Sequence, residues 1–65
     1  MRDSEEDIEI AIDVRKETDA ALLVYDGKIE VWIPKSKISD QSEGAHGRIE
    51  TIFIPEWLAL AKGLI

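Results

Sequence analysis

From Ile8 to Val14 the chain alternates strictly: Ile8, Ile10, Ile12 and Val14 fall at even positions, with Glu9, Ala11 and Asp13 between them. Alternate residues of a strand share a face, and β-branched side chains suit a half-buried pleat, whereas a helix would scatter this set around its axis. The segment therefore predicts a strand with one apolar and one acidic face, approached through a frayed run from Glu5 to Asp7. On the acidic face Glu5, Asp7, Glu9 and Asp13 form a row in which alternate positions lie about 6.6–6.8 Å apart.

Three more strand-like segments and one helix follow. The charged and small residues Arg15 to Ala20 read as a turn. The apolar run Ala20 to Tyr25 and the strand-like segment Lys28 to Ile33 are separated by Asp26-Gly27, a strong hairpin signal because a two-residue type I′ turn needs positive φ at both positions and Asp-Gly tolerates it. Pro34 has no N–H to donate, so this strand ends there or lies at an edge. Lys35 to Gly47 reads as a long loop rich in turn formers. Arg48 to Ile54 gives a fourth strand, with Ile49, Thr51 and Phe53 on one face and Glu50, Ile52 and Ile54 on the other.

The tail carries helix signals: Pro55 at a first helical position, Glu56 in the first turn, Lys62 in the last and Gly63 as a left-handed cap. A helix of about two turns is marginal alone and must be held by tertiary contact. Trp57 with Ala61 and Leu64, or Leu58 with Ala61 and Ile65, supply a packing face. The expected fold is α+β: a single ββββα domain over residues 1–65, a four-stranded antiparallel sheet with the C-terminal helix on one face, and residues 1–7 as a partly flexible acidic N-terminus. Ile8, Ile10, Ile12, Val14, Leu23, Val31, Phe53 and Trp57 are the expected core, and loss of Trp57 should unfold the chain.

A domain of 65 residues buries only about 60% of its unfolded surface, and with no cysteine it has no disulfide to compensate. The N-terminal residues lack the apolar run of a signal peptide, and Ala20 to Tyr25 is too short to span a bilayer, so a cytoplasmic setting is expected. Net charge is −6, and six of the fourteen acids lie in residues 1–13 against Arg2 alone. Such a field opposes direct nucleic-acid binding, which draws its affinity from Lys and Arg. It favours a basic partner, or serves solubility alone.

Groups for catalysis are sparse. His46 is the single histidine and has no partner at ligand spacing; Ser36, Ser39 and Ser42 lie in no nucleophile elbow. Asp40 and Glu43 lack the alternating ligands of a calcium loop, and no glycine-rich phosphate loop is present. The reading is a non-enzymatic protein without cofactor or metal. Trp32 shares a face with Lys28 and Glu30; it either packs under the helix or across from a neighbouring strand, the favoured reading, or stands exposed beside Lys35 and Lys37 as an interface anchor.

The segments Glu30 to Ile38, "EVWIPKSKI", and Ile54 to Ile65, "IPEWLALAKGLI", resemble a group of very small phage, prophage and plasmid proteins with a Trp-Ile-Pro-Lys-Ser strand end and a closing Pro-Glu-Trp-Leu helix. The resemblance covers about a third of the chain and implies a mobile-element origin; the group has no established activity. Small acidic proteins of such elements resemble anti-CRISPR or anti-restriction inhibitors, some of them DNA mimics. The expectation is a monomeric, stoichiometric inhibitor of a host defence complex that covers a basic nucleic-acid-binding surface. Glu5, Asp7, Glu9 and Asp13 would be its first contacts, with Trp32, Asp40 and Glu43 as secondary contacts. The alternatives are a phage accessory or structural protein that self-associates or joins a phage assembly, and a nucleic-acid module using Lys35, Lys37, Arg48 and Trp32. Lys16, Lys28 or Arg48 could also neutralise the acid row within the fold.

Overall fold

The computed structural model describes residues 6–65, so Glu5 and the four residues before it lie outside the described part. The fold is α+β, with two three-stranded antiparallel sheets instead of the single four-stranded sheet expected. One sheet has the order β1(Asp7–Ala11), β6(Ile49–Pro55), β5(Asp40–Glu43); the other has the order β2(Asp13–Glu17), β3(Ala21–Tyr25), β4(Glu30–Pro34). Helix α1(Glu56–Ala61) follows β6 directly.

The difference arises at Ile12. The alternating segment stays extended, but its first half pairs with β6 (Ile8 opposite Ile54, Ile10 opposite Ile52) and its second half with β3 (Asp13 opposite Tyr25, Val14 opposite Val24). At the change-over the Ile12 N–H donates to the Glu50 carbonyl at 2.9 Å. A strand that passes from one sheet to the next in this way makes the corner of a two-sheet fold. The even-numbered face stays inward through the corner: Ile10 and Ile12 are buried, with Ile8 and Val14 packed at the margin.

Two segments read as loops prove to be strand. Arg15 to Glu17 continue β2 after a bulge between Val14 and Lys16, and the turn is shorter, closed where the Thr18 N–H donates to the Ala21 carbonyl at 2.9 Å. Lys35 to Gly47 holds a 3₁₀ turn, Lys35–Lys37, and then β5, which pairs with β6 through Asp40 opposite Phe53 and Gln41 opposite Ile52. Backbone pairing carries β5, whose four residues are all exposed; with no apolar alternation it left no pattern to read. Strand pairing reaches back into the expected approach: the Glu56 N–H donates to the Glu6 carbonyl at 2.9 Å, and Asp7 pairs with Pro55.

The β3–β4 hairpin forms as expected, but its turn sits one residue later in the chain, so that Tyr25 stands opposite Glu30 and not Lys28. Asp26 closes the turn instead of occupying it, Gly27 alone takes positive φ (104°), and the Asp26 N–H donates to the Ile29 carbonyl at 3.2 Å. Asp26 Oδ1 accepts from the N–H groups of Ile29 at 2.9 Å and Lys28 at 2.8 Å. These bonds, that of Ile29 first, stabilise the charged carboxylate and hold its pKa below the ordinary value. The helix end also forms as expected: Gly63 has φ 79°, the Leu64 N–H donates to the Ala59 carbonyl at 2.9 Å and the Gly63 N–H to the Leu60 carbonyl at 3.2 Å. That pair of bonds is a complete Schellman cap.

The core lies between the sheets and consists of Ile10, Ile12, Leu22, Val24, Ile33, Ile52, Ile54, Leu58 and Ala59. Leu23 and Phe53 point the other way and Trp57 is 42% exposed, so three of the expected core residues are corrected; Val31, like Ile8 and Val14, packs against the core at its margin. In an unbroken apolar run such as Ala20 to Tyr25 either parity is apolar, and only the partner strands select Leu22 and Val24. On the helix, Leu58, Ala59 and the capping Leu64 face the core, which turns Trp57 outward.

Two outcomes follow. Ile52→Ala, at a fully buried site, should lower stability by about 2–5 kcal/mol, whereas Trp57→Ala should leave a folded protein; urea denaturation at low protein concentration compares them. Because the folded pKa of Asp26 is depressed, its contribution is present above the unfolded value of about 3.9 and is lost as pH falls through the folded value. Asp26→Asn should therefore be less stable than wild type near neutrality and lose less stability on acidification, read as urea midpoints across that range.

Candidate interaction surface

The outward face of the β1–β6–β5 sheet collects acids from two distant parts of the chain. Register places Glu9, Phe53 and Asp40 side by side across β1, β6 and β5, and Asp7 one alternate position from Glu9, opposite Pro55. Glu9 and Asp40 are exposed, and Phe53 is half-buried between them. With strands about 4.8 Å apart, the two carboxylate-bearing residues stand about 10 Å from each other. Two like charges at that distance in water repel by only about 0.4 kcal/mol, so the sheet tolerates them. Among the described residues no ion pair engages Asp7, Glu9 or Asp40; Asp40 Oδ1 accepts the Gln41 N–H at 2.8 Å.

Asp13 is separated from this group. It lies past the corner on β2, where Arg15 at 3.6 Å and Arg48 at 3.6 Å flank its carboxylate. Arg15 also reaches Glu30 at 3.8 Å and stacks over the Tyr25 ring at 4.5 Å. The expected row is thus divided: Asp7 and Glu9 remain together, Asp13 joins a charge network on the other sheet, and Glu5 lies outside the described residues. Arg48 neutralises as anticipated. Arg15 was missed, although its position two residues from Asp13 on the same strand was the available signal.

Of the secondary candidates, Asp40 joins the acidic face. Glu43 is exposed at the far end of β5, opposite Ile49. Trp32 lies across from Leu23 of the neighbouring strand, one branch of the favoured reading, and not under the helix; it keeps 41% exposure on the outward face of the second sheet. His46 is exposed in the turn before β6, and Ser39 donates its N–H to the Phe53 carbonyl at 2.9 Å. No cluster of three metal-ligating side chains occurs among the described residues. Two shallow cavities of about 230 Å³ share Glu17 and Ile49. Both fall below the usual range of small-molecule sites, about 300–1,000 Å³. No helix among the described residues is long and apolar enough to cross a membrane.

An aromatic ring between two carboxylates suits a lysine or arginine side chain, which the ring face attracts and the carboxylates pair. No protein-family model matches this chain, and no curated protein or solved structure matches it. Ion pairs as exposed as those of Asp13 contribute little: Asp13→Asn and Arg48→Ala should each change stability by less than about 1 kcal/mol in chemical denaturation, with non-additivity in the double variant reporting the contact.

Proposed function

We propose that this chain is a non-enzymatic binding protein that covers a basic surface of a partner protein, with Asp7, Glu9 and Asp40 as the acidic contacts and Phe53 as the seat for a cationic side chain. The observation that carries this reading is the Glu9–Phe53–Asp40 row, in which acids from the N-terminal strand and from β5 converge on one rigid sheet face. The net charge of −6 supports it by favouring encounter with a positive surface. Surfaces rich in Lys and Arg are those that hold nucleic acid, so occupation of one would exclude the nucleic acid by competition. The likeness to small mobile-element proteins makes a bacterial defence complex the partner class, and stoichiometric inhibition the mode.

The test compares wild type with the triple variant Asp7→Asn, Glu9→Gln, Asp40→Asn, with Asp13→Asn as control, in affinity capture from a bacterial lysate after folding is checked by circular dichroism. Wild type and control should retain a nucleic-acid-binding complex that a competing oligonucleotide displaces. The triple variant should bind it roughly a hundredfold more weakly, at about 1 kcal/mol per carboxylate, and added salt should weaken wild-type binding. Equal retention by the triple variant, or loss in the control alone, would sink the reading.

A further inference from the structure

Among the described residues the two sheets have four edge strands, β1, β5, β2 and β4. An unpaired edge offers its N–H and C=O groups to any extended chain, so folded proteins blunt such edges with proline, bulges or local caps. Three of the four are blunted in this way. The β4 edge ends in Pro34, which has no N–H to offer, and the bulge between Val14 and Lys16 breaks the edge of β2. On β5 the Gln41 N–H is taken by Asp40 Oδ1 at 2.8 Å, and a second bulge follows between Ser42 and Glu43.

Strand β1 carries none of these devices. Its ladder with β6 runs without a shift from Asp7 opposite Pro55 to Ala11 opposite Thr51. The bonds at the two ends of that ladder, Glu56 N–H to the Glu6 carbonyl and Ile12 N–H to the Glu50 carbonyl, each at 2.9 Å, both fall on even-numbered residues of the N-terminal segment. Bonded and non-bonded pairs alternate in an antiparallel ladder, so Ile8 and Ile10 direct their backbone groups to β6, while the N–H and C=O groups of Asp7, Glu9 and Ala11 point away from it. Pro55, which has no N–H, stands opposite Asp7, as a non-bonded pair permits. Among the described residues no further strand lies on that side, and Asp7, Glu9 and Ala11 are exposed.

We propose that the free edge of β1 takes up an extended segment of the partner protein as an added strand, one that carries Lys or Arg at every second residue and apolar residues between. The proposal rests on the reading that the acidic sheet meets a basic partner, and it specifies the form in which that partner arrives. Added strands draw affinity from main-chain bonds and specificity from alternate side chains. Residues of the new strand opposite Asp7 and Glu9 share their outward face, with Cβ atoms about 4.5–5.5 Å apart, where a cation pairs with each carboxylate. Residues opposite Ile8 and Ile10 turn to the inner face, where Ile8 lies at the margin of the core and an apolar side chain extends it. Charge excludes a second copy of β1 as the occupant, because its own acids would stand against Asp7 and Glu9.

The probe is a capped Lys-Val-Lys-Val-Lys-Val-Lys peptide, and the readout is amide hydrogen exchange by nuclear magnetic resonance together with the peptide's dissociation constant. In the free protein the amides of Ile8 and Ile10 should exchange more slowly than those of Glu9 and Ala11, and bound peptide should slow Glu9 and Ala11 at least about tenfold. Ala11→Pro removes one outward N–H without touching an acid or a bond to β6, and should weaken binding at least about tenfold. If Ala11→Pro does not fold by circular dichroism, the same peptide methylated on every backbone nitrogen decides: it keeps its charges, loses its N–H donors and should bind as weakly. Slow exchange of Glu9 and Ala11 in the free protein would overturn strand addition, as would an absence of binding, or binding that leaves their exchange unchanged or is indifferent to the proline and to methylation. Where the peptide binds in that indifferent way, loss of binding by the triple variant Asp7→Asn, Glu9→Gln, Asp40→Asn leaves the acidic-surface reading standing, and retention by it counts against that reading as well.

Discussion

The molecule depends on one extended segment holding two sheets together. Asp7 to Glu17 keeps its apolar side inward while its hydrogen-bond partners change from β6 to β3, and the Ile12 N–H to the Glu50 carbonyl at 2.9 Å marks the join. Each sheet alone would bury one face of three short strands. Sharing a strand brings Ile10 and Ile52 of one sheet over Leu22, Val24 and Ile33 of the other, and the helix adds Leu58 and Ala59. For a domain this small, closing two sheets on each other is what makes a core at all.

The same arrangement divides the surface. The outward side of the β1–β6–β5 sheet is acidic around Phe53, while β4 and α1 expose apolar side chains. Asp13, past the corner, enters the Arg15 and Arg48 network and leaves the acidic face.

Much of the candidate site could be read before the fold was known, and the part that could not has a definite cause. Asp7 and Glu9 were found by alternation alone, since residues two apart on a strand share a face whatever it pairs with. Asp40 reaches them only through β6, because its row depends on which residue of β6 stands opposite each neighbour, and β5 has no apolar alternation to betray that it is a strand. Trp57 and Phe53 were misplaced because apolar segments leave parity open.

By itself the sequence determined what short-range geometry controls: the extended Ile8–Val14 segment, the Asp26-Gly27 hairpin, the Gly63 cap and the crowding of acids at the front of the chain. Each rests on a dihedral preference, a period or a local hydrogen bond spanning few residues. Only the tertiary structure decided that one strand serves two sheets, that Leu22 and Val24 turn inward while Leu23 turns out, and that Asp40 stands across Phe53 from Glu9. Those outcomes depend on register between segments tens of residues apart, where packing of the whole core chooses among pairings that local sequence leaves nearly equivalent.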